Sequence, residues 1–176
     1  GNLKFLDSKV STSIVKILSA DDYLLSNSLK ETYLFMKKFP ACKLMTCYSS
    51  NKLSRNHIES IILRNDVCSK MGNRFFIKFT PKSSMVAFLA FGNICGNLSR
   101  ATYRKVNKGI TSLFDQKYPY AGDFNAWARL SKKYEFYLIK KNLVYVRIHP
   151  GQATYTLEKT LNPKNNRYRQ LSRIYN

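Results

Sequence analysis

The sequence predicts an α/β fold built around one hydrophobic core. Its 176 residues are 44% hydrophobic and 14% aromatic, which is enough apolar side chain for the core of a single domain. Short apolar segments typical of strands alternate with segments whose apolar residues recur at helical spacing. There is no internal repeat and no low-complexity block, so we expect helices layered on a sheet.

The first half of the chain is predicted to begin with a strand and a helix. Residues 13–18 form a short, mostly apolar segment that runs into Ser19-Ala20-Asp21-Asp22, which places two adjacent carboxylates where the predicted strand ends. The next segment favours a helix, because Asn27 or Ser28 can cap it and because Ser28 and Glu31 have the spacing of a capping box. The predicted apolar face of this helix comprises Leu29, Thr32, Tyr33 and Met36. Further elements are expected over residues 43–48 (strand), 57–64 (helix) and 75–79 (strand).

The second half is predicted to contain three strands and two helices. They are a buried strand over residues 85–94, a basic helix from Ser99 to Lys105, a helix over residues 123–133, and a strand pair or hairpin over residues 134–139 and 143–148. The helix over residues 123–133 is favoured because Phe124, Trp127, Ala128 and Ser131 share one face. Period-two geometry places Tyr145, Arg147 and His149 on one face of the last strand.

Composition limits the partners and the compartment. Thirty Lys and Arg against ten Asp and Glu give a net charge of +20, which favours phosphates, nucleic acid or acidic lipid headgroups without choosing among them. No run approaches the ~20 apolar residues that cross a bilayer, and no secretory signal is visible, so we expect a cytoplasmic protein. The cysteines lack the spacing of a zinc site and are expected to be free and mostly buried; they are Cys42, Cys47, Cys68 and Cys95.

The chain divides into one domain and a basic tail. Residues 1–154 carry all the well-patterned elements, whereas residues 155–176 are rich in Lys, Arg, Asn and Tyr with one helical pattern over residues 165–175. Such a tail is compatible with contact to an anionic membrane surface and equally with a solvated segment.

Three segments resemble glycosyltransferase family 2 in their order and spacing, over about residues 15–152. They are Ser19-Ala20-Asp21-Asp22, Gly122-Asp123-Phe124-Asn125-Ala126-Trp127-Ala128-Arg129-Leu130, and Arg147-Ile148-His149-Pro150-Gly151. The resemblance implies an A-type glycosyltransferase mixed sheet flanked by helices. The N-terminal nucleotide-binding βαβ half of that fold is not visible in the sequence.

The resemblance also implies roles for individual residues. Asp21 matches the metal-binding carboxylate of the family's Asp-x-Asp motif, and His149 matches a histidine that reaches toward the metal and diphosphate. Donor-binding positions are Ser19, Asp21, Asp22 and Arg147, with Ser19 standing where the family usually has its first Asp.

Asp123 matches the family's catalytic base, with Gly122 and Asn125 in place of the acidic residues usual in that motif. The acceptor-side positions implied are Gly96, Ser99, Trp127 and Arg129. Trp127 also lies on the apolar helical face, where a core anchor is the simpler interpretation.

The implied activity is inverting, Mn²⁺- or Mg²⁺-dependent transfer of a sugar from a nucleotide-sugar donor to a saccharide or lipid-linked hydroxyl acceptor. It would take place in the cytoplasm or peripherally at the inner membrane face, with a second chain or self-association completing the fold. Two alternatives stay open: a noncatalytic glycosyltransferase-like remnant that acts as a scaffold, and a basic nucleic-acid-binding module. No recognisable nucleic-acid-binding motif accompanies the basic charge, so no nucleic-acid partner is expected.

Overall fold

Six strands form one mixed sheet in the computed structural model, which describes residues 8–50, 75–105, 122–147 and 149. The strands are β1 (Ile14–Lys16), β2 (Tyr23–Leu24), β3 (Leu44–Ser50), β4 (Phe76–Phe79), β5 (Thr102–Arg104) and β6 (Phe136–Tyr145). The α-helices of these residues are α1 (Ser28–Lys38), α2 (Pro81–Phe91) and α3 (Gly122–Lys133). The predicted mixed α/β class is therefore confirmed.

The strand order brings the carboxyl ends of three strands to one edge of the sheet. The order is β1-β5-β3-β6-β2, and β4 pairs with the first half of β6. β3 and β6 are parallel, whereas β5 is antiparallel to both β1 and β3. The strands β1, β3 and β6 therefore point the same way and end at the same edge.

Helices cover both faces of the sheet, because neighbouring residues of a strand point to opposite sides. Leu44 and Phe136 belong to the core beneath α2 and α3, which also contains Phe88 and Trp127. The next residue of each strand, Met45 and Tyr137, packs instead with Phe35 and Met36 of α1. The result is a sheet between two helical layers.

Helix α1 occupies the predicted segment and follows Asn27, one of the two predicted N-cap residues. Asn27 precedes it in a left-handed conformation (φ 64°) and makes no side-chain capping bond. The predicted Ser28–Glu31 capping box is wrong, because the Glu31 carboxylate accepts a hydrogen bond from Lys141 Nζ at 2.9 Å. The predicted apolar face is half wrong. Thr32 and Met36 are buried as expected, but Leu29 and Tyr33 are exposed.

The predicted strand over residues 85–94 is wrong, since this segment lies mostly in helix α2. The helix starts upstream at Pro81, and Thr80 and Ser83 form a capping box in which each side chain accepts a hydrogen bond from the other's backbone N–H. Proline at the first helical position and a capping box favour a helix start. These local signals precede the apolar run and override its strand-like composition.

Two further predictions are wrong. The expected helix from Ser99 to Lys105 is a single 3-10 turn, Leu98–Arg100, followed by β5. The expected strand pair separated by Lys140, Lys141 and Asn142 is the continuous strand β6. Its parallel pairing with β3 shifts register on either side of Tyr48, so the two lysines lie in an irregularity of one strand and make no turn.

Other predictions agree with the structure or lie outside the described residues. The strands over residues 43–48 and 75–79 and the helix over residues 123–133 are confirmed. Cys42, Cys47 and Cys95 are free and buried, and burial raises the pKa of the Cys42 thiol to about 12. The predicted helices over residues 57–64 and 165–175, Cys68 and the basic tail lie outside the described residues. Among the described residues, every helix is too short or too polar to cross a bilayer.

Candidate functional site

The candidate site lies at the edge of the sheet where β1, β3 and β6 end. The chain leaves β1 at Lys16 and reaches β2 at Tyr23, on the opposite side of the sheet. Residues 17–22, here called the crossing segment, therefore cross the ends of the intervening strands. Ligands of open α/β sheets commonly bind beyond the carboxyl ends of strands, so the Asp21 and Asp22 carboxylates occupy a favourable position.

Asp21 contacts two side chains that follow β6. Its Oδ1 lies 3.4 Å from Arg147 Nη2, and its Oδ2 lies 3.2 Å from His149 Nε2. The approach to His149 is close enough to lower the pKa of the Asp21 carboxyl, although its direction departs from that of a hydrogen bond, and Arg147 lowers this pKa further. The side chains of Asp21 and Arg147 remain nearly half exposed, so this group can meet a ligand from solvent.

Asp22 is buried and is held by both of its oxygens. Oδ1 accepts a hydrogen bond from the backbone N–H of Arg147 at 3.1 Å, and Oδ2 accepts one from Asn97 Nδ2 at 3.0 Å. A buried carboxylate with fixed donors has a defined orientation. Asp22 therefore ties the residues after β6 to the crossing segment and keeps Asp21 beside Arg147 and His149.

A loop over residues 93–100, here called the connector loop, supports the crossing segment from below. Ser99 Oγ accepts a hydrogen bond from the backbone N–H of Ser19 at 2.8 Å. Strand β3 anchors the loop at two points. The Thr46 hydroxyl donates to the Cys95 carbonyl at 2.6 Å, and Arg100 Nε donates to the carbonyl of the residue after Thr46 at 2.7 Å. The connector loop is thus fixed to a central strand and holds the crossing segment in place.

Gly96 allows this loop to fold against a buried arginine. Its φ is +71°, and a Cβ at this position would lie 2.4 Å from Arg100 Nη1. We expect Gly96→Ala to destabilise the protein by roughly 1–3 kcal/mol from backbone strain, with a further cost for moving the buried guanidinium. Urea denaturation measures the change. Gly122→Ala is the control, since a Cβ there meets nothing within 4 Å and its φ is not positive. Equal stability of both variants would contradict the proposed packing.

Asp123 lies in the first turn of α3, where the helix dipole favours a negative charge. Its Oδ1 accepts a hydrogen bond from the backbone N–H of Phe124 at 2.7 Å. Burial is the main cause that raises the pKa of the Cys95 thiol, and the charge of Asp123 raises it further. Asp123 therefore lies near the start of the connector loop, whose Asn97 reaches Asp22.

Asp21 and His149 fit a divalent cation in part. Among the described residues, His149 Nε2 is buried and has no hydrogen-bond partner, although it lies 3.2 Å from a carboxylate oxygen. Two ligands at right angles on one Mg²⁺, each about 2.1 Å away, would be separated by about 3 Å, which is close to this distance. No cluster of three or more His, Cys, Asp or Glu suited to a metal occurs in the described part of the chain. The remaining ligands would have to be substrate oxygens or water, as is common for Mg²⁺.

The other predicted residues fall into two groups. Ser19 and Ser99 form the contact between the crossing segment and the connector loop, and Gly96 packs against Arg100 within that loop. Trp127 is fully buried in the core, where the core-anchor interpretation places it, and Arg129 is half-buried on α3.

Sequence reasoning missed Asn97 as a partner of Asp22. Its presence in the Gly96-Asn97-Leu98-Ser99 segment was the available signal.

No family model, no curated protein and no solved structure matches this chain.

Proposed function

We propose that the chain is the metal- and acceptor-binding half of an inverting glycosyltransferase that moves a sugar from a nucleotide-sugar donor to a hydroxyl. One observation carries this proposal: Asp21, Arg147 and His149 lie together, with Asp22 fixed beneath them, although the two segments are about 125 positions apart. A carboxylate, an imidazole and a guanidinium are the groups expected around a metal-bound diphosphate.

Each residue of this group has a distinct task in the proposal. Arg147 binds a phosphate oxygen through its guanidinium, while Asp21 and His149 hold Mn²⁺ or Mg²⁺. A bound divalent cation supplies positive charge that offsets the charge developing on the departing diphosphate. Asp22 contacts no ligand and keeps Arg147 in place through the hydrogen bond to its backbone.

Asp123 is the proposed general base. It takes the proton of the acceptor hydroxyl while the acceptor oxygen forms its bond to the anomeric carbon and the bond to the diphosphate breaks. One displacement inverts the anomeric configuration and needs no covalent enzyme intermediate. Acceptor-side contacts are assigned to the connector loop at Gly96 and Ser99 and to Arg129 of α3.

Calorimetric titration of nucleotide sugars with Mn²⁺ tests the donor site, on this chain and on the longest reading frame that contains it. We expect one donor to bind only with the metal present. Asp21→Asn should weaken that binding by at least about a hundredfold, since ligands contribute more than their outer-shell partners, whose loss costs 10- to 100-fold. Glu31→Gln is the matched control, because Glu31 lies on α1, where its carboxylate pairs with Lys141 of β6. Metal-independent binding, or equal loss in both variants, would rule out this site.

A second candidate function is that of a scaffold: the chain would be a glycosyltransferase-like protein that no longer catalyses transfer. Ser19, Gly122 and Asn125 stand where the resembled motifs carry acidic residues. Asn125 is buried, and no hydrogen-bond partner of its Oδ1 lies in the described part of the chain. Metal-dependent donor binding without transfer to any acceptor would favour this function. Transfer that requires Asp123 would exclude it.

A further inference from the structure

Helix α1 exposes an unusual mixture of apolar and basic side chains. At 3.6 residues per turn, its buried residues Ser28, Thr32, Phe35 and Met36 occupy a little less than a third of the circumference. The opposite half, here called the α1 outer face, consists of Leu29, Lys30, Tyr33, Leu34, Lys37 and Lys38. Three large apolar groups and three ammonium groups therefore share one surface.

The apolar members of the α1 outer face are well exposed. Leu29, Tyr33 and Leu34 have 58%, 54% and 50% of their surface accessible. Single exposed apolar residues are common, but three on one short helix face form a patch that calls for an explanation. Their neighbours in the core, such as Phe35, already fill the space beneath the helix.

The charge of the α1 outer face is of one sign. Glu31 is the sole acidic residue of α1, and its carboxylate lies 2.9 Å from Lys141 Nζ. The lysines at positions 30, 37 and 38 are all exposed, and the whole chain carries a net charge of +20. The surface is therefore complementary to an anionic partner that also accepts apolar side chains.

We propose that the α1 outer face docks on an anionic phospholipid membrane surface. Lysines interact with acidic headgroups while leucine and tyrosine side chains enter the boundary between headgroups and acyl chains. Six side chains are too few for a standard protein interface, which takes about 20–30 residues from each partner. A nucleic-acid backbone would attract the lysines through its phosphates but would leave the leucines exposed to water. The proposal does not depend on the proposed glycosyltransferase activity.

Helix α2 provides an internal comparison. It also exposes apolar residues, Val86 and Leu89, but Lys82 is the single basic residue in the helix. The same apolar exposure without the lysines should not bind an anionic surface. Substitutions on α2 are therefore matched controls for substitutions on α1.

Vesicle co-sedimentation of the full chain tests the proposal, using phosphatidylcholine vesicles with and without phosphatidylserine. The apolar variant carries Leu29→Gln, Tyr33→Gln and Leu34→Gln, and the basic variant carries Lys30→Gln, Lys37→Gln and Lys38→Gln. We expect binding only with phosphatidylserine. Removing three lysines should weaken it by roughly a hundredfold at low salt, and the apolar variant should weaken it at least tenfold. Circular dichroism checks that each variant is folded.

Two controls separate location from total charge. Lys82→Gln, Lys132→Gln and Lys133→Gln together remove the same charge from exposed positions outside α1, and Val86→Gln with Leu89→Gln removes apolar surface from α2. Both should retain most of the binding. Emission of a Tyr33→Trp variant should shift to the blue with phosphatidylserine vesicles, whereas that of Val86→Trp should not.

Three results would overturn the proposal. Full binding by both α1 variants would assign membrane contact to another part of the chain. Equal losses in the α1 and control variants would show that only total charge matters. Binding of an oligonucleotide that falls with the basic variant, without vesicle binding, would assign the α1 outer face to nucleic acid.

Discussion

Asp123→Asn should reduce glycosyl transfer by a factor of about 10² to 10⁴, because removal of a general base typically costs this much. The variant should remain folded. Asparagine retains a side-chain oxygen that can accept the hydrogen bond from the Phe124 N–H, and the lost charge at the helix N-terminus costs only about 0.3–1 kcal/mol. Initial rates with the donor found by calorimetry, together with urea denaturation, measure both effects.

The readouts distinguish a base from a structural residue. If Asp123 acts as the base, its carboxylate is needed only for proton transfer from the acceptor hydroxyl. The affinity for the donor should then stay within about twofold while the turnover number falls. Glu135→Gln is the matched acidic control, because Glu135 pairs with Lys78 on another part of the sheet. Unchanged turnover in Asp123→Asn would remove Asp123 from the mechanism.

Trp127→Ala should lower the free energy of unfolding by about 3–5 kcal/mol, the usual cost of truncating a buried tryptophan. Trp127 is fully buried and joins α3 to the core shared with Phe88 and Phe136. Since natural domains are stable by only about 5–15 kcal/mol, this loss should be large relative to the total. Urea denaturation of the two proteins at one temperature gives the difference directly.

An exposed position of the same helix separates burial from helix propensity. Lys132→Ala lies on the solvent side of α3 and should change stability by no more than about 0.5 kcal/mol. A loss below about 1 kcal/mol in Trp127→Ala would contradict a core role. Such a result would favour a solvent-exposed Trp127 and the acceptor-side role that the motif implies.

Several elements could be predicted from the sequence because their signals are local. Helix α3 follows from the spacing of Phe124, Trp127 and Ser131, all of which are buried. Strands β1, β3 and β4 follow from short apolar runs. Helix α2 also has local signals, Thr80, Pro81 and Ser83, and this cap outweighs the strand-like composition of the apolar run that follows it.

Other features depend on pairings that no local pattern reveals. The pattern over residues 134–148 is typical of two strands. In the structure, β3, which lies about 90 residues earlier in the chain, pairs along the length of β6 and makes it one strand. The exposed half of α1 is set by the packing of Phe35 against Phe39, Phe76 and Tyr137, which holds the opposite half in the core. Competition among core side chains decides which arc of a helix is buried, and that competition involves the whole sheet.

The candidate site shows the same division. From the sequence, the motifs that resemble glycosyltransferase family 2 pointed to Asp21, Asp22, Arg147 and His149 as candidate site residues. Only the tertiary structure decided that Asp22 is buried and held by Asn97 and the Arg147 backbone while Asp21 faces outward. Residue type is a property of one position, whereas burial and hydrogen bonding depend on contacts between segments that only the folded sheet brings together.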